Sequence, residues 1–485
     1  MAGLFGLSID LETYEGNFSE NLFWGISYVT HLSEEKSGLA AFKNNWITHD
    51  SEPGLFAPNF KNRMADFDGT EAIGYCGQAE EPFLGDSELG PLCACFMGNI
   101  INSENLLSKI KKSGGLIERG DEIEVMLNLI AQGAINGKGI MKGIKSMTRK
   151  IKGTYSLLML TRDGIYAVCC PNYRWPLVIG QKKGAVVVGA ESGGFDNLGF
   201  KLVRDIEPGE ILLIKNGSFK KVGVMSAPNP KICSFRWVYT DFVNSIIRGI
   251  PTSSVRKKLG VALARQDIKK GFIPHIVIPV PDSGRLHAIG YYQEFVRQMM
   301  LGKIERIPFY DEYLHKYGFS RSFLRPTHEE RQKTAHYKIV ISGETINHFL
   351  KMLEEAGLGE IAKEIRGTGR IIIVICEDSV VRGVQIESNL APKVKRVFEI
   401  ETEDKILIKV EIHVRSSNPE LLSHCPWGKT TKKGETLAQQ CPEIEDRIKR
   451  MGIDGLAYNT INDLVRAIGL PQKQLCVDCD LVLEE

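Results

Sequence analysis

The stretch "RIIIVICEDSVVRGVQ", Arg370 to Gln385, decides the fold. An unbroken apolar run from Ile371 to Cys376 drives straight into Glu377 and Asp378, then a hydroxyl, an arginine and a glycine. A short apolar run without polar alternation suits a strand buried on both faces, the signature of a parallel sheet. In an open parallel sheet, ligands bind at the carboxyl ends of the strands. Glu377 and Asp378 stand at that end, and Ser379 to Gly383 form a loop leading into a helix. Successive backbone N–H groups in such a loop, with the helix N-terminus behind them, hold phosphate oxygens. Two carboxylates beside a phosphate cradle suit a ribose phosphate, whose hydroxyls they accept, or a hydrated Mg²⁺. A buried strand followed by a polar loop with no ligand gives the same local pattern.

Outward from there the texture repeats. "HIVIPVPDSG" is a second apolar strand ending in a tight turn at Pro281-Asp282-Ser283-Gly284, placed to face a pyrophosphate–metal group. "RLHAIGYYQEFVRQMM" and "VQIESNLAPKVKRVF" have helical spacing, and "KILIKVEIHV" is another strand. Strands alternating with helices predict a parallel α/β sheet. Residues 1–215 read differently, as many short strands with few helices. "GTYSLLMLTRDGIYAVC" predicts a hairpin turning at Arg162-Asp163-Gly164, and "GAVVVGAES" and "EILLIKNG" predict further strands. The Gly-, Pro- and Lys-rich stretch Asn216 to Lys231 is the best linker candidate between the two textures. The tail carries a short amphipathic helix, "INDLVRAIGL", and ends in "CVDCDLVLEE".

A chain of 485 residues has length for several domains, and 43% hydrophobic with 25% charged residues is ordinary globular composition. The formal net charge of +2 gives no reason to expect a nucleic-acid or anionic-membrane partner. No apolar run spans a bilayer and no charged-then-apolar leader opens the chain, so the expectation is a cytoplasmic protein. In a reducing compartment its 11 cysteines are core residues or metal ligands before they are disulfides.

"ICEDSVVRG" together with "VIPVPDSGRLHAIGY" resembles the phosphoribosyltransferase half of the amidophosphoribosyltransferase family, glutamine-dependent enzymes that open purine synthesis. "LFWGISYVTHLSEEKSGLAAF", "GAESGGFDNLGFKLVRDIEPGEI", "CSFRWVYTDF", "RSFLRPTHEERQKTAHYKI" and "DGLAYNTINDLVRAIGL" resemble the family's successive landmarks, in order. The resemblance implies an αββα N-terminal-nucleophile glutaminase-like domain at 1–225. It implies a type I phosphoribosyltransferase domain, a doubly wound parallel sheet with a cysteine-bearing helical tail, at 226–485. It implies that Asp282, Ser283, Gly284, Arg321, Arg331, Lys338, Glu377, Asp378, Ser379, Val380, Val381, Arg382 and Gly383 bind phosphoribosyl pyrophosphate (PRPP). Ser283, Glu377 and Asp378 fall at the Mg²⁺ and ribose ligands, Ser379 to Gly383 on the 5′-phosphate loop, and Arg321 in a loop that closes over PRPP. The acid pair is Glu377-Asp378 where the family has Asp-Asp, a carboxylate displaced by one methylene, and Val384 and Gln385 replace two threonines.

In this family a cysteine at the mature N-terminus attacks the amide of glutamine, with its own amino group as base. Ala2 stands in that place, and a methyl group forms no thioester. Gly77 replaces the arginine that clamps the glutamine carboxylate, and Glu122 the aspartate that holds its amino group. Met97 replaces the asparagine that stabilises the oxyanion, although Gly98 and Asn99 remain. The glutaminase site therefore reads as dead, with no catalytic residue assigned. Cys76, Cys93 and Cys95 have no amine base and read as core residues; Cys169 and Cys170, where the family has Arg-Asp, read as further loss.

The tail Cys476-Val477-Asp478-Cys479 is a CxxC that alone signals zinc, redox chemistry or nothing. With Cys233 and Cys425 it matches the four cysteines that ligate a 4Fe–4S cluster in one branch of the family, with zinc as the rival. Cys376 and Cys441 have no assigned partner. His275, His287, His315 and His336 lack ligand spacing and read as solvated or capping residues. Three functions stay open. One is an enzyme that forms phosphoribosylamine from PRPP and ammonia without a glutaminase. A second is a non-catalytic PRPP-binding paralogue that pairs with an active amidotransferase homologue. A third is an iron–sulfur redox sensor that reuses the scaffold. The family's self-association implies a homo-oligomer.

Overall fold

The computed structural model describes residues 2–115, 117–137, 139–318, 328–343, 345–402, 405–429 and 431–482. Two antiparallel sheets fill the first half. One has seven strands in the order Lys201–Asp205, Val178–Lys182, Ala185–Gly189, Gly3–Ile9, Glu71–Gly77, Lys36–Lys43, Trp46–Pro53. The other has six, in the order Ser218–Val224, Glu210–Lys215, Gly164–Cys169, Gly153–Thr161, Leu92–Ile100, Phe83–Gly85. Their facing sides share one core, with Leu4, Ile73, Cys95, Leu158 and Leu212 fully buried between them. The helix Phe18–Ser27 covers the first sheet through Phe18, Leu22 and Ile26. The helices Glu122–Gly137 and Ile140–Lys150 cover the second. Helix, sheet, sheet and helix make four layers.

The stretch read as a linker departs from that expectation at its start. Ser218–Val224 is an edge strand paired with Glu210–Lys215. Asn216 (φ 49°) and Gly217 (φ 61°) form the tight turn between them. Two successive positive φ angles at Asn-Gly match the twist of a two-residue hairpin, a signal that the Lys-rich composition obscured.

The second half is built on a five-stranded parallel sheet in the order Phe309–Tyr310, Ile276–Pro279, Arg370–Glu377, Lys409–Pro419, Gly455–Asn459. The apolar run of Arg370–Glu377 serves both faces. Ile371, Ile373 and Ile375 pack with Phe349, Val394 and Phe398 on one side. Val374 and Cys376 pack with Leu263, Ala288, Tyr291 and Phe295 on the other. Helices Thr252–Lys269 and Arg285–Met300 supply that second side. The strand at Lys409 begins later than the pattern at Lys405 predicts.

The junction is not a bare linker. Trp237, Val238, Val255 and Leu259, with Leu464, Leu475 and Val477 from the tail, are buried in the same core as the first sandwich. Arg236, itself buried, donates to the carbonyls of Pro176 (3.0 Å) and Ala190 (2.6 Å) and to the carboxylate of Asp241. Two histidines read as solvated are buried instead. His275 Nδ1 accepts from the Ile372 N–H at 2.8 Å, and His287 lies beneath the carbonyl of Val238. No described helix is long and apolar enough to cross a membrane.

Candidate functional site

The two strand ends named from the sequence are neighbours. Pro279 pairs with Cys376 across the sheet, and the Val280 N–H donates to the Cys376 carbonyl at 2.9 Å. The turn Pro281–Gly284 and the loop Ser379–Gly383 therefore open side by side. Both reach a cavity of about 310 Å³, within the size range of small-molecule sites. Ser283, Lys338, Glu377, Asp378 and every residue from Ser379 to Gln385 line it.

Glu377 and Asp378 are 8% and 3% exposed. Burial, and then the neighbouring Asp378 carboxylate, push the Glu377 carboxyl well above the usual carboxylate range, while Lys338 opposes them. A cation or a hydroxyl donor placed against the pair would bring the Glu377 carboxyl down again. Asp378 accepts from the Ser379 hydroxyl at 2.7 Å, and its carbonyl accepts from the Asn418 N–H at 2.7 Å, which anchors the loop to the adjacent strand.

Among the described residues, no backbone carbonyl takes the N–H groups of Val380, Val381 or Gly383. Gly383 has φ +74°, and a Cβ there would press on Met451 and Leu437 at 3.1–3.2 Å, so the tight loop needs glycine. Such a row of unclaimed donors is an anion cradle. Arg382 forms an ion pair with Glu435, whose carboxylate also accepts from the Lys432 N–H.

Several sequence candidates stand elsewhere. Asp282 points away from the chamber. Its side chain is 58% exposed and is paired with Lys316 at 2.8 Å and Arg285 at 3.3 Å. Gly284 packs beneath the Cys376 carbonyl. Arg321 lies outside the described residues, and Arg331 falls within the helix His328–Lys338 with its side chain outside them.

The same cavity continues into the first half, to Ala2, Glu81, Phe96, Met97, Gly98, Glu122 and Trp175. The positions that the resemblance assigns to glutamine recognition have other neighbours here. A Cβ on Gly77 would lie 1.8 Å from the Tyr75 hydroxyl, so no arginine fits there beside this tyrosine. Glu122 accepts from the Ile100 N–H at 2.9 Å and is paired with Lys429 from the other half of the chain. Cys76, Cys93 and Cys95 are buried and burial pushes their thiols far up, so none offers a thiolate. Cys169, Cys170 and Cys376 are buried as well.

Cys233 and Cys476 sit opposite each other in a two-strand parallel pair, Ile232–Cys233 with Leu475–Cys476. After burial, the facing thiols Cys476 and Cys425 push Cys233 up, and Asp480 with the other three cysteines pushes Cys479 up. The four converge. Ser423 ties the two loops by donating its N–H to the Cys479 carbonyl at 3.1 Å. Trp427 Nε1 donates to Asp478 at 2.6 Å beneath the Arg174 guanidinium, 4.5 Å from the ring. Among the described residues no three His, Cys, Asp or Glu side chains form a group that could hold a metal ion.

No family model matches the chain. Over 507 aligned positions it is 27% identical to the amidophosphoribosyltransferase of Methanocaldococcus jannaschii, covering 99% of this chain and 96% of that one. It is 26% identical to the Bacillus subtilis amidophosphoribosyltransferase, covering 92% and 86%. Among solved structures, the B. subtilis glutamine PRPP amidotransferase complexed with ADP and GMP superposes with a TM-score of 0.76 at 25% identity, covering 98% of this chain and 96% of that one. An allosteric regulatory enzyme of purine biosynthesis shares the fold with a TM-score of 0.79 at 24% identity, covering 98% and 94%. The two-domain fold expected from the sequence is the fold of these structures.

Proposed function

We infer that this chain, an end-to-end relative of the amidophosphoribosyltransferases, binds PRPP and forms phosphoribosylamine from free ammonia, with no glutaminase of its own. The observation that carries this reading is the meeting of Ser283, Glu377, Asp378 and the unclaimed N–H groups of Val380, Val381 and Gly383 in one cavity. The loop takes the 5′-phosphate, the carboxyl pair accepts from ribose hydroxyls, and Lys338 faces the anionic substrate. Mg²⁺, held by Glu377, Asp378 and the Ser283 hydroxyl, would neutralise the pyrophosphate; two adjacent carboxyls and a hydroxyl on one cavity wall are oxygen donors that fit such a cation. Ammonia attacks C1, the C1–O bond to pyrophosphate breaks, pyrophosphate leaves with the electron pair, and the new nitrogen loses a proton. We place the boundary between the two units near residue 225, on the change from antiparallel to parallel sheet, and read the whole as a cytoplasmic homo-oligomer.

With ammonium as the nitrogen source, pyrophosphate release from PRPP should rise with the concentration of unprotonated ammonia, while glutamine in its place gives none. Absence of turnover above background at high ammonium, with PRPP bound, would leave the second reading. That reading is a PRPP-binding regulatory paralogue working beside an active homologue. The Arg382–Glu435 pair across the phosphate loop favours it, since a carboxylate already engages the loop's cation.

The four converging thiols suit a 4Fe–4S cluster by donor chemistry, stapling three distant segments together. Zinc in the same four cysteines is the rival.

A further inference from the structure

The strand Lys409–Pro419 runs on past the acid pair. It stays in register with Arg370–Glu377 as far as Ser416, which stands opposite Glu377. On its other side, its pairing with Gly455–Asn459 slips between Ser416 and Pro419. Such a slip takes a residue out of the ladder and re-aims it, and slips of this kind collect beside binding sites. Here the re-aimed residue is Asn418, which is buried, and its N–H reaches the Asp378 carbonyl at 2.7 Å. That bond holds the peptide plane that joins Asp378 to Ser379, where the phosphate loop begins.

The C-terminal tail holds Asn418 in turn. Its Nδ2 donates to the Pro419 carbonyl at 2.8 Å and to Asp480 Oδ1 at 2.9 Å, and Asp480 is buried as well. Among the described residues Asn418 Oδ1 and Asp480 Oδ2 take no hydrogen bond, so this one contact joins the two side chains. Ser423, on the cavity wall, docks the tail beside it, its hydroxyl donating to the Leu481 carbonyl at 2.7 Å. The other end of the tail is pinned at the junction between the halves, where the Ser234 hydroxyl donates to the Cys476 carbonyl at 2.9 Å. The tail is a strap with two anchors, and one of them reaches the phosphate loop through a single side chain.

We propose that Asn418 is a positioning residue of the phosphoribosyl pocket, and that the C-terminal tail, through Asp480, sets the grip of that pocket on its anionic ligand. The ligand comes from the phosphoribosyl reading, on which the proposal rests; the tie comes from the hydrogen bonds alone. Coupling of this kind is reciprocal: a loosened tail loosens the loop, and a ligand on the loop steadies the tail.

Amide hydrogen exchange and calorimetry on the full chain test it, with the variants Asn418→Ala, Asp480→Ala and Asp480→Asn. In ligand-free protein both alanine variants should speed exchange at residues 379–383 about tenfold, while the strand Arg370–Glu377 exchanges as in wild type. Both should weaken binding of PRPP with Mg²⁺ about tenfold. Asp480→Asn keeps the accepting oxygen and should stay within about threefold of wild type in both readouts. PRPP should slow exchange across residues 476–481 in wild type and leave it unchanged in Asn418→Ala. Wild-type loop exchange in both alanine variants, equal loosening of loop and strand, or loss in Asp480→Asn as large as in Asp480→Ala would overturn the proposal. No PRPP binding to wild type, with the loop loosened in both alanine variants, would overturn the phosphoribosyl reading and leave the tie standing.

Discussion

Asp378→Asn should weaken PRPP binding about 100-fold, roughly 2.7 kcal/mol. The substitution is isosteric and keeps the oxygen that accepts from Ser379, so the loop stays anchored. What it removes is a carboxylate that lines the cavity beside Glu377. Burial, and then the neighbouring Asp378 carboxylate, hold the Glu377 carboxyl well above the usual carboxylate range. Charge-assisted hydrogen bonds are about twice as strong as neutral ones, and a cation needs the charge outright. Glu377→Gln should cost less, about tenfold, because burial and Asp378 already disfavour the Glu377 charge. Calorimetry with Mg²⁺ on both variants checks the ordering. Equal affinities for wild type and Asp378→Asn would show that the strand-end acids do not touch the ligand.

Asp241→Ala should destabilise the chain by about 3 kcal/mol, the low end of the range for an uncompensated buried ion. Arg236 and Asp241 are both buried and joined through three hydrogen bonds of 2.6–3.0 Å. Removing the carboxylate strands a guanidinium in the junction between the two halves. The loss falls at the low end because Glu191 also holds the Arg236 charge, and the carbonyls of Pro176 and Ala190 still accept from it. The double variant Arg236→Met with Asp241→Leu should recover most of the loss, since a buried pair replaced by apolar residues costs little. Urea unfolding followed by circular dichroism reads both. A single variant as stable as wild type would mean the junction carries no structural load.

The strand end at Glu377 and the loop after it were legible because their signals are local. An apolar run that stops at two acids and a glycine loop declares a strand end within a dozen residues, and Arg370–Glu377 lies where that pattern puts it. Ser218–Val224 was missed because its apolar residues are few and its lysines face solvent, although Asn216-Gly217 marks the hairpin. His275 and His287 were misread because burial depends on distant packing, not on neighbours in the chain. The ion pairs at the two ends of the cavity were out of reach for the same reason. Lys429 meets Glu122 across 307 positions, and Glu435 meets Arg382 across 53. Asp282 shows the limit of motif reading: it sits in the right turn, and its side chain leaves the chamber.

On the proposed reading, a sugar-phosphate pocket survives in a chain whose first half no longer cleaves amides. The most direct measurement is calorimetry of anaerobically purified full-length protein with PRPP and Mg²⁺, with glutamine hydrolysis followed on the same sample. Saturable PRPP binding at one site per chain, with no glutamate released from glutamine, is the predicted result. No heat of PRPP binding, or efficient glutamine hydrolysis, would contradict it.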